Sequence, residues 1–280
     1  MTIIDGKKVS AHLKDNIAAE VKENGYKPGL AVIIVGDDPA SKIYVKNKKK
    51  ACEYCGFYSE EYALPQNTTQ SELIALIDRL NKDDKIDGIL CQLPLPKHID
   101  KKAVIEAISP AKDVDAFNEI NVGKIMIGNY SFSPCTPSGV IELLKYYDID
   151  LCSKNAVVIG RSNIVGKPMA MLLMHEDATV TVCHSKTKNL KEICLNADVI
   201  VSSVGKPKIV TADMVKDGAV VIDVGISRTE NGKICGDVDF ENVKDKTSYI
   251  TPVPGGVGPM TIAVLMQNTL KAYKLNKNIK

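Results

Sequence analysis

At 280 residues, 45% hydrophobic and 25% charged, the chain holds enough apolar material for one large domain or two of ordinary size. A formal net charge of only +2 argues against a nucleic-acid-binding face or an acidic tail, and no uninterrupted apolar run approaches membrane-spanning length. The opening residues, Met1-Thr-Ile-Ile-Asp-Gly-Lys-Lys8, lack the apolar run of a signal peptide, so a cytoplasmic enzyme is expected.

Leu30 to Val35 reads as a continuous β run ending in Gly36-Asp-Asp-Pro39, followed by a helix from about Ala40 to Cys55. A strand over Phe57 to Ala63, a helix opened by the capping box Thr69-x-x-Glu72, and a strand over Ile86 to Cys91 come next. A further helix is expected near Asp100. The alternation calls for a parallel sheet. Residues 109–135 break the rhythm with turn formers and weak periodicity, and the domain boundary is placed there, after residue 118. Thr136-Pro137-Ser138 then opens a helix through Tyr147. A second β-α-β series follows: a strand over Ala156 to Gly160, a helix near Val165–His175, a strand over Ala178 to Cys183, a helix near Leu190–Asn196, and strands at Asp198–Val201 and Ala219–Gly225. The expected fold class is α/β, with two α/β domains around a cleft, the second of Rossmann type.

The strand ending at Gly160 runs into Gly160-Arg-Ser-Asn-Ile-Val-Gly166 and then an apolar helix, where a Rossmann unit seats a pyrophosphate. The motif departs from G-x-G-x-x-G, with Ser162 at the second glycine, and a tight turn with no ligand is the plain alternative. The end of the next strand reads Cys183-His-Ser-Lys-Thr187, with no acid to hold ribose hydroxyls. Ser185, Lys186 and Arg161 suit a 2′-phosphate instead, so NADP is expected over NAD. No catalytic role is assigned to His184.

In the helix near 40–55, helical spacing puts Ser41, Tyr44, Lys48, Ala51, Cys52 and Cys55 on one face. Lys46, Lys49 and Lys50 point elsewhere and read as a solvated basic face. Lys48 is the basic residue within the apolar stripe, where lost hydration lowers its pKa toward the range of a proton-transfer group. Tyr44 offers a ring for stacking on a flat substrate. Gln92, directly after a strand, can orient a lysine without adding charge. In Lys112-Asp-Val-Asp115, one of the two carboxylates can bind a guanidine-like edge, although turn stabilisation explains either equally well on spacing alone. The eight scattered cysteines suit reduced core thiols, Cys52 and Cys55 included, and no metal is expected. Thr251-Pro-Val-Pro-Gly-Gly-Val-Gly-Pro-Met-Thr261 reads as a rigid loop at a strand's carboxyl end, before a helix near Met260–Tyr273. Without a cation, it is a positioning surface and not a phosphate cradle.

Together, Ser41-x-x-Tyr44-x-x-x-Lys48, Asp87-Gly-Ile-x-x-Gln92-Leu-Pro-Leu-Pro96, Lys112-Asp-Val-Asp115, Pro134-Cys-Thr-Pro137, the 160–166 turn and the 251–261 loop resemble the bifunctional methylenetetrahydrofolate dehydrogenase/cyclohydrolase family nearly end to end. The resemblance implies oxidation of 5,10-methylenetetrahydrofolate with NADP, then hydrolysis of the methenyl product to 10-formyltetrahydrofolate. It implies Lys48 as the acid/base group, Tyr44 stacking on the folate, Gln92 tuning Lys48, and Asp115 gripping the pterin edge. It also implies NADP held by Gly160, Arg161, Ser162 and Ser185, with Ile226 beside the nicotinamide, and Pro254, Gly255 and Gly256 lining the substrate. Residues 1–118 become the folate-binding catalytic domain with helix 261–280 packed back on it, 119–260 the NADP-binding domain, and the whole a homodimer through the cofactor domains. The family usually has glycine where Ala116 stands, and altered folate affinity is expected there. The rivals are an NADP-dependent dehydrogenase of another small substrate, a non-catalytic nucleotide-binding regulator, and a family member keeping one of the two activities.

Overall fold

The computed structural model describes residues 1–229 and 232–279, apart from the side chain of Ala40; Lys280, at the end of the expected last helix, lies outside them. The chain begins with Thr2–Ile3 (β1), Gly6–Asn24 (α1), Gly29–Val35 (β2), Pro39–Cys55 (α2), Tyr58–Leu64 (β3), Gln70–Asn81 (α3) and Gly88–Cys91 (β4). Lys101–Ala107 (α4), Glu119–Met126 (α5), Cys135–Tyr146 (α6), Asn155–Ile159 (β5), Gly166–His175 (α7) and Thr179–Cys183 (β6) follow. Leu190–Leu195 (α8), Val199–Ser202 (β7), Val220–Asp223 (β8), Ser227–Arg228 (β9), Ile234–Cys235 (β10), Phe240–Val243 (α9), Tyr249–Ile250 (β11) and Val257–Asn276 (α10) complete it.

These elements form two compact units. One comprises Ala11–Cys135 and the segment from Ile262 onward, around a parallel three-stranded sheet in the order β3-β2-β4. All seven residues of β2 are buried, which is why its sequence is unbroken by polar residues. Its period-two alternation divides the apolar side chains between two cores. Leu30, Val32 and Ile34 pack with Ile17 and Val21 of α1, Cys52 and Cys55 of α2, and Val264 to Met266 of α10. Ala31, Ile33 and Val35 pack with Leu73, Ile77 and Leu80 of α3 and Val104 of α4.

The other unit comprises Met1–Ser10 and Thr136–Thr261, around a six-stranded sheet in the order β1-β11-β8-β7-β5-β6. Every pairing in it is parallel. From β5 the chain goes to β6 on one side, then returns past β5 to β7 on the other. The carboxyl ends of β5 and β7 are therefore a topological switch point, where open α/β sheets place ligands.

The units divide differently from the expected boundary after residue 118. Residues 119–135 belong with the three-stranded sheet, and α5 occupies a stretch whose weak periodicity read as irregular. The first ten residues belong with the six-stranded sheet, because Thr2 N donates to Ser248 O (2.7 Å) and Ile4 N to Ile250 O (2.8 Å). The division falls inside α1, α6 and α10, so no polar linker marks it.

Candidate active site

Helix α2 starts where its sequence provides for it. Asp38 caps it, its Oδ2 accepting from Ser41 N and Ser41 Oγ (both 2.8 Å), with Pro39 in the first turn and Gly56 ending it in the left-handed conformation. Of the face read from helical spacing, Ser41, Lys48, Ala51, Cys52 and Cys55 are buried, and Tyr44 is 41% exposed. Lys46, Lys49 and Lys50 are exposed, as a solvated face requires.

Lys48 is only 8% exposed, and its Nζ donates to Gln92 Oε1 at 2.8 Å. The Gln92 amide has one sensible orientation, because its Nε2 donates to Leu93 O (2.7 Å), which turns the oxygen toward the lysine. Gln92 N in turn donates to Ile33 O, tying the residue to the end of β2. Burial lowers the Lys48 pKa, with the opposing attraction of Asp115 the next largest influence. Burial likewise raises Asp115, against the pull of Lys48. Both charges thus cost desolvation, and each partly relieves the other.

The structure separates the two carboxylates of the 112–115 segment. Asp113 is absorbed by the turn: its Oδ2 accepts from Asn118 N (2.8 Å) and Asn121 Nδ2 (2.9 Å), and burial raises its pKa to about 6. Asp115 is left as the carboxylate acting on Lys48. Between them and the next helix, Ala116 is fully buried at φ 55°, the left-handed conformation in which a glycine carries no strain. The methyl therefore leaves the turn in a glycine-like form and sits in the core beside Val114.

Two residues near this group escaped sequence reasoning. Cys91 and Cys135 both interact electrostatically with Lys48 and Asp115, and burial pushes both thiols up, Cys91 to about 12. As thiols they are soft, weakly polar walls that deepen the desolvation of Lys48. Cys91, within an apolar run, carries no signal of this, and Cys135 enters the sequence reading only as part of Pro134-Cys-Thr-Pro137, without a role. Cys52 and Cys55 are core groups, donating to Met266 Sδ (3.8 Å) and Lys14 O (3.9 Å).

In the six-stranded unit, the 160–166 turn lies at the switch point. Gly160 N donates to Cys183 O, and Ser203 N to Ile159 O (both 2.8 Å). A Cβ on Gly166 would stand 2.3 Å from Gly160 O, so only glycine allows the helix to start so close to the strand end. Ser162 Oγ accepts from Val165 N and Gly166 N (both 3.2 Å), closing the turn ahead of the helix, while Arg161 and Ser162 stay exposed. At the end of β6, His184 N donates to Thr187 Oγ1 (2.8 Å) and Lys186 N to His184 Nδ1 (3.1 Å), leaving Ser185 exposed at the tip. His184 is thus a turn former. These residues fit a phosphorylated dinucleotide: a glycine-tightened helix start, cations at Arg161 and Lys186, a hydroxyl at Ser185, and no carboxylate in the Cys183–Lys188 turn. Ile226, just after Gly225, is 54% exposed.

The 251–261 loop is anchored within the same unit. Thr251 N donates to Val221 O (3.1 Å), and Gly256 N to Pro252 O (2.9 Å). A Cβ on Gly6 would lie 1.7 Å from Gly256 O, and Ser10 Oγ donates to Pro259 O (3.0 Å). The loop's close backbone approach to the start of α1 accounts for Gly6, and a Cβ on Gly256 would stand 2.6 Å from Pro252 O, which accounts for Gly256 without any ligand. Pro254 is exposed and Gly255 half-buried, at φ 109°.

Residues 4–115 match the family model for the tetrahydrofolate dehydrogenase/cyclohydrolase catalytic domain, and residues 134–277 the model for that family's NAD(P)-binding domain. The chain is 60% identical to the bifunctional protein FolD of Acetivibrio thermocellus, over 99% of each. The crystal structure of the FolD methylenetetrahydrofolate dehydrogenase/cyclohydrolase from Campylobacter jejuni superposes with a TM-score of 0.96 at 56% identity, covering 98% of this chain and 99% of that one. The Trypanosoma brucei enzyme, solved with NADP and an inhibitor, gives 0.93 at 41% identity, covering 98% of both.

Proposed function

The chain belongs to the tetrahydrofolate dehydrogenase/cyclohydrolase family, and on that premise we propose how its residues divide two consecutive reactions. It is a bifunctional enzyme that oxidises 5,10-methylenetetrahydrofolate to the 5,10-methenyl form with NADP and hydrolyses that product to 10-formyltetrahydrofolate. The three-stranded unit binds the folate, and the six-stranded unit binds NADP.

The observation that carries the reading is the buried Lys48 ammonium, held at 2.8 Å by the Gln92 amide oxygen and depressed in pKa by burial. The methenyl product is a cation with an electrophilic carbon between two nitrogens, so water needs only modest activation to attack it. Lys48 as the amine takes the proton from that water as its oxygen bonds to the carbon. The carbon–nitrogen bond at N5 then breaks, N5 gaining a proton as the new hydroxyl loses its own, and the formyl group stays on N10. Gln92 keeps the amine aimed without adding a charge. Tyr44 supplies an exposed ring for stacking, and Asp115 a carboxylate for the amino-pyrimidine edge. Bound NADP supplies the hydride acceptor. Gly160, Arg161, Ser162 and Ser185 receive its phosphates and ribose, Ile226 packs by its nicotinamide, and Pro254, Gly255 and Gly256 form a fixed wall for the substrate.

The exposed Thr179, Thr181 and Val182 on the edge strand β6 support a homodimer through the cofactor unit, which light scattering would test. A cytoplasmic place in one-carbon metabolism, with the product serving formyl transfer as in purine biosynthesis, accords with this chemistry.

Mixing the protein with methylenetetrahydrofolate and NADP, and following NADPH and methenyl absorbance, tests the whole. Both signals should rise and the methenyl signal then decay. No NADPH would sink the assignment, and methenyl accumulating without decay would leave the dehydrogenase alone.

A further inference from the structure

The switch-point crevice has a second wall opposite the 160–166 turn. It is the segment Ser203–Lys206 that follows β7, and it lies close: a Cβ on Gly160 would stand 2.6 Å from Ser203 Oγ. Ser203 ties its start to the end of β5, its N and Oγ donating to Ile159 O (2.8 and 3.3 Å), but nothing in Val-Gly-Lys would hold the rest in one shape. The hold comes from Asp237, fully buried and more than thirty residues further along the chain. Its Oδ2 accepts from Ser202 Oγ (2.9 Å) and Val204 N (2.6 Å), and its Oδ1 from Lys206 N (2.8 Å).

Asp237 is itself fixed by a second buried carboxylate. Asp223, at the end of β8, accepts from Asp237 N and Gly225 N through Oδ1 (both 2.9 Å) and from Val238 N through Oδ2 (2.8 Å). Asp223 N in turn donates to Thr251 Oγ1 (2.7 Å), at the root of the 251–261 loop. The fit leaves no slack, since a Cβ on Gly225 would lie 2.1 Å from Asp237 Oδ1. The wall at 203–206 and the segment carrying Ile226 are thus clasped through one pair of side chains.

Topology says which part of the cofactor this clasp faces. The adenosine ribose belongs at the end of β6 and the pyrophosphate at the 160–166 turn, so the remaining half of the dinucleotide extends toward the ends of β7 and β8. We propose that Asp237 is a positioning residue for the NADP site, holding the 203–206 wall against the Ile226 segment so that the nicotinamide half is received in one orientation. This rests on the NADP-dependent dehydrogenase reading above.

Asp237→Asn tests it. All three partners are donors, so whichever way the amide turns, its NH2 faces a donor and at least one partner loses its acceptor. Calorimetric NADP binding should weaken tenfold or more, and the KM for NADP should rise in step. Hydrolysis of supplied methenyltetrahydrofolate, which draws on Lys48 and Gln92, should stay within twofold of the parent protein. Ser202→Ala, which removes one donor to the same carboxylate, should weaken NADP binding about threefold, and it carries the test if Asp237→Asn does not fold. NADP affinity unchanged in the variants would overturn the proposal, as would a parallel fall of both activities, the mark of general destabilisation. Failure of the parent protein to reduce NADP would instead remove the reading beneath it.

Discussion

Lys48 is caught between two opposing influences. Burial favours the neutral amine, while Asp115 favours the ammonium, and burial is the larger. The amine fraction therefore rises with pH through a midpoint below the ordinary lysine value of 10.5. Hydrolysis should climb with pH and level off before that value, as a pH–rate profile will show. Lys48→Met should lower hydrolysis by about 10²–10⁴-fold, the usual range for a general acid–base group, and erase that limb of the profile. NADP binding should be unaffected. Because the substitution leaves Asp115 without the charge that partly relieves its burial and Gln92 Oε1 without its donor, Tm should fall; an unchanged Tm would mean that the lysine does not support the Asp115 carboxylate. At Ala116 the magnitudes nearly cancel. Glycine would relieve roughly 1–2 kcal/mol of left-handed strain, but forfeit about 0.8 kcal/mol of buried methyl and roughly 0.4–1 kcal/mol through the freer unfolded chain. Ala116→Gly should thus shift stability by less than about 1 kcal/mol, whereas Ala116→Val, β-branched at positive φ in a filled core, should cost about 2–4 kcal/mol. Thermal unfolding of both variants checks the pair, and unchanged folate affinity in Ala116→Gly would show that the methyl does not disturb the pocket.

Helix α5 shows how a short element supports a site without entering it. Its cap, Asn118, accepts from Ile120 N (3.0 Å), donates to Ile108 O (3.1 Å), and offers its own N–H to Asp113, two residues before Asp115. Asn118→Ala should cost about 2 kcal/mol in denaturant unfolding, through a lost cap and a carbonyl left without its donor. It should also raise the folate KM while leaving NADP affinity alone; a folate KM equal to the parent's would detach the cap from the site. Neither the helix nor its role was legible, because Asn118 and Asn121 read as turn formers among turn formers. Helix α2 was legible because Asp38, Pro39 and Gly56 are local signals, and β2 because burial on both faces leaves an unbroken apolar run. Helix α1 was legible in principle, with Val9, Leu13, Ile17 and Val21 at four-residue spacing. Strand β1 was not, since two residues become a strand only through pairing with Tyr249–Ile250. The same holds for the choice between Asp113 and Asp115 and for the Asp237 clasp. Local chemistry reads from sequence, whereas partners far along the chain do not.

Across the whole molecule, each unit contains a buried aspartate whose pKa is raised to about 6, Asp113 in the three-stranded unit and Asp223 in the six-stranded one. In both, burial is the leading cause, and backbone and side-chain N–H donors offset it only partly. The unfolded chain restores each to 3.8, so the folded state binds more protons between those values. The stability tied to each is full below pH 3.8 and is lost as pH rises through about 6. Each tenfold change in proton affinity on folding is worth roughly 1.4 kcal/mol, so each aspartate represents up to about 3 kcal/mol. Surface carboxylates act in the opposite sense. Asp198 and Asp213 are held down by lysine partners, Asp213 to about 2, and Asp239 by Asn242 and Lys208. Their contribution disappears only as pH falls below the ordinary carboxylate range. The two sets occupy different windows, so stability should increase on going from pH 7 to about pH 5 and decline only under stronger acid. Calorimetric unfolding at half-unit intervals from pH 4 to 8 checks this, and a Tm flat or falling between pH 7 and 5 would contradict it. Asp113→Asn removes one of these titrations, so whatever it costs at a fixed pH, it should flatten the slope over that interval. A slope equal to the parent's would exclude Asp113 as a source of the dependence.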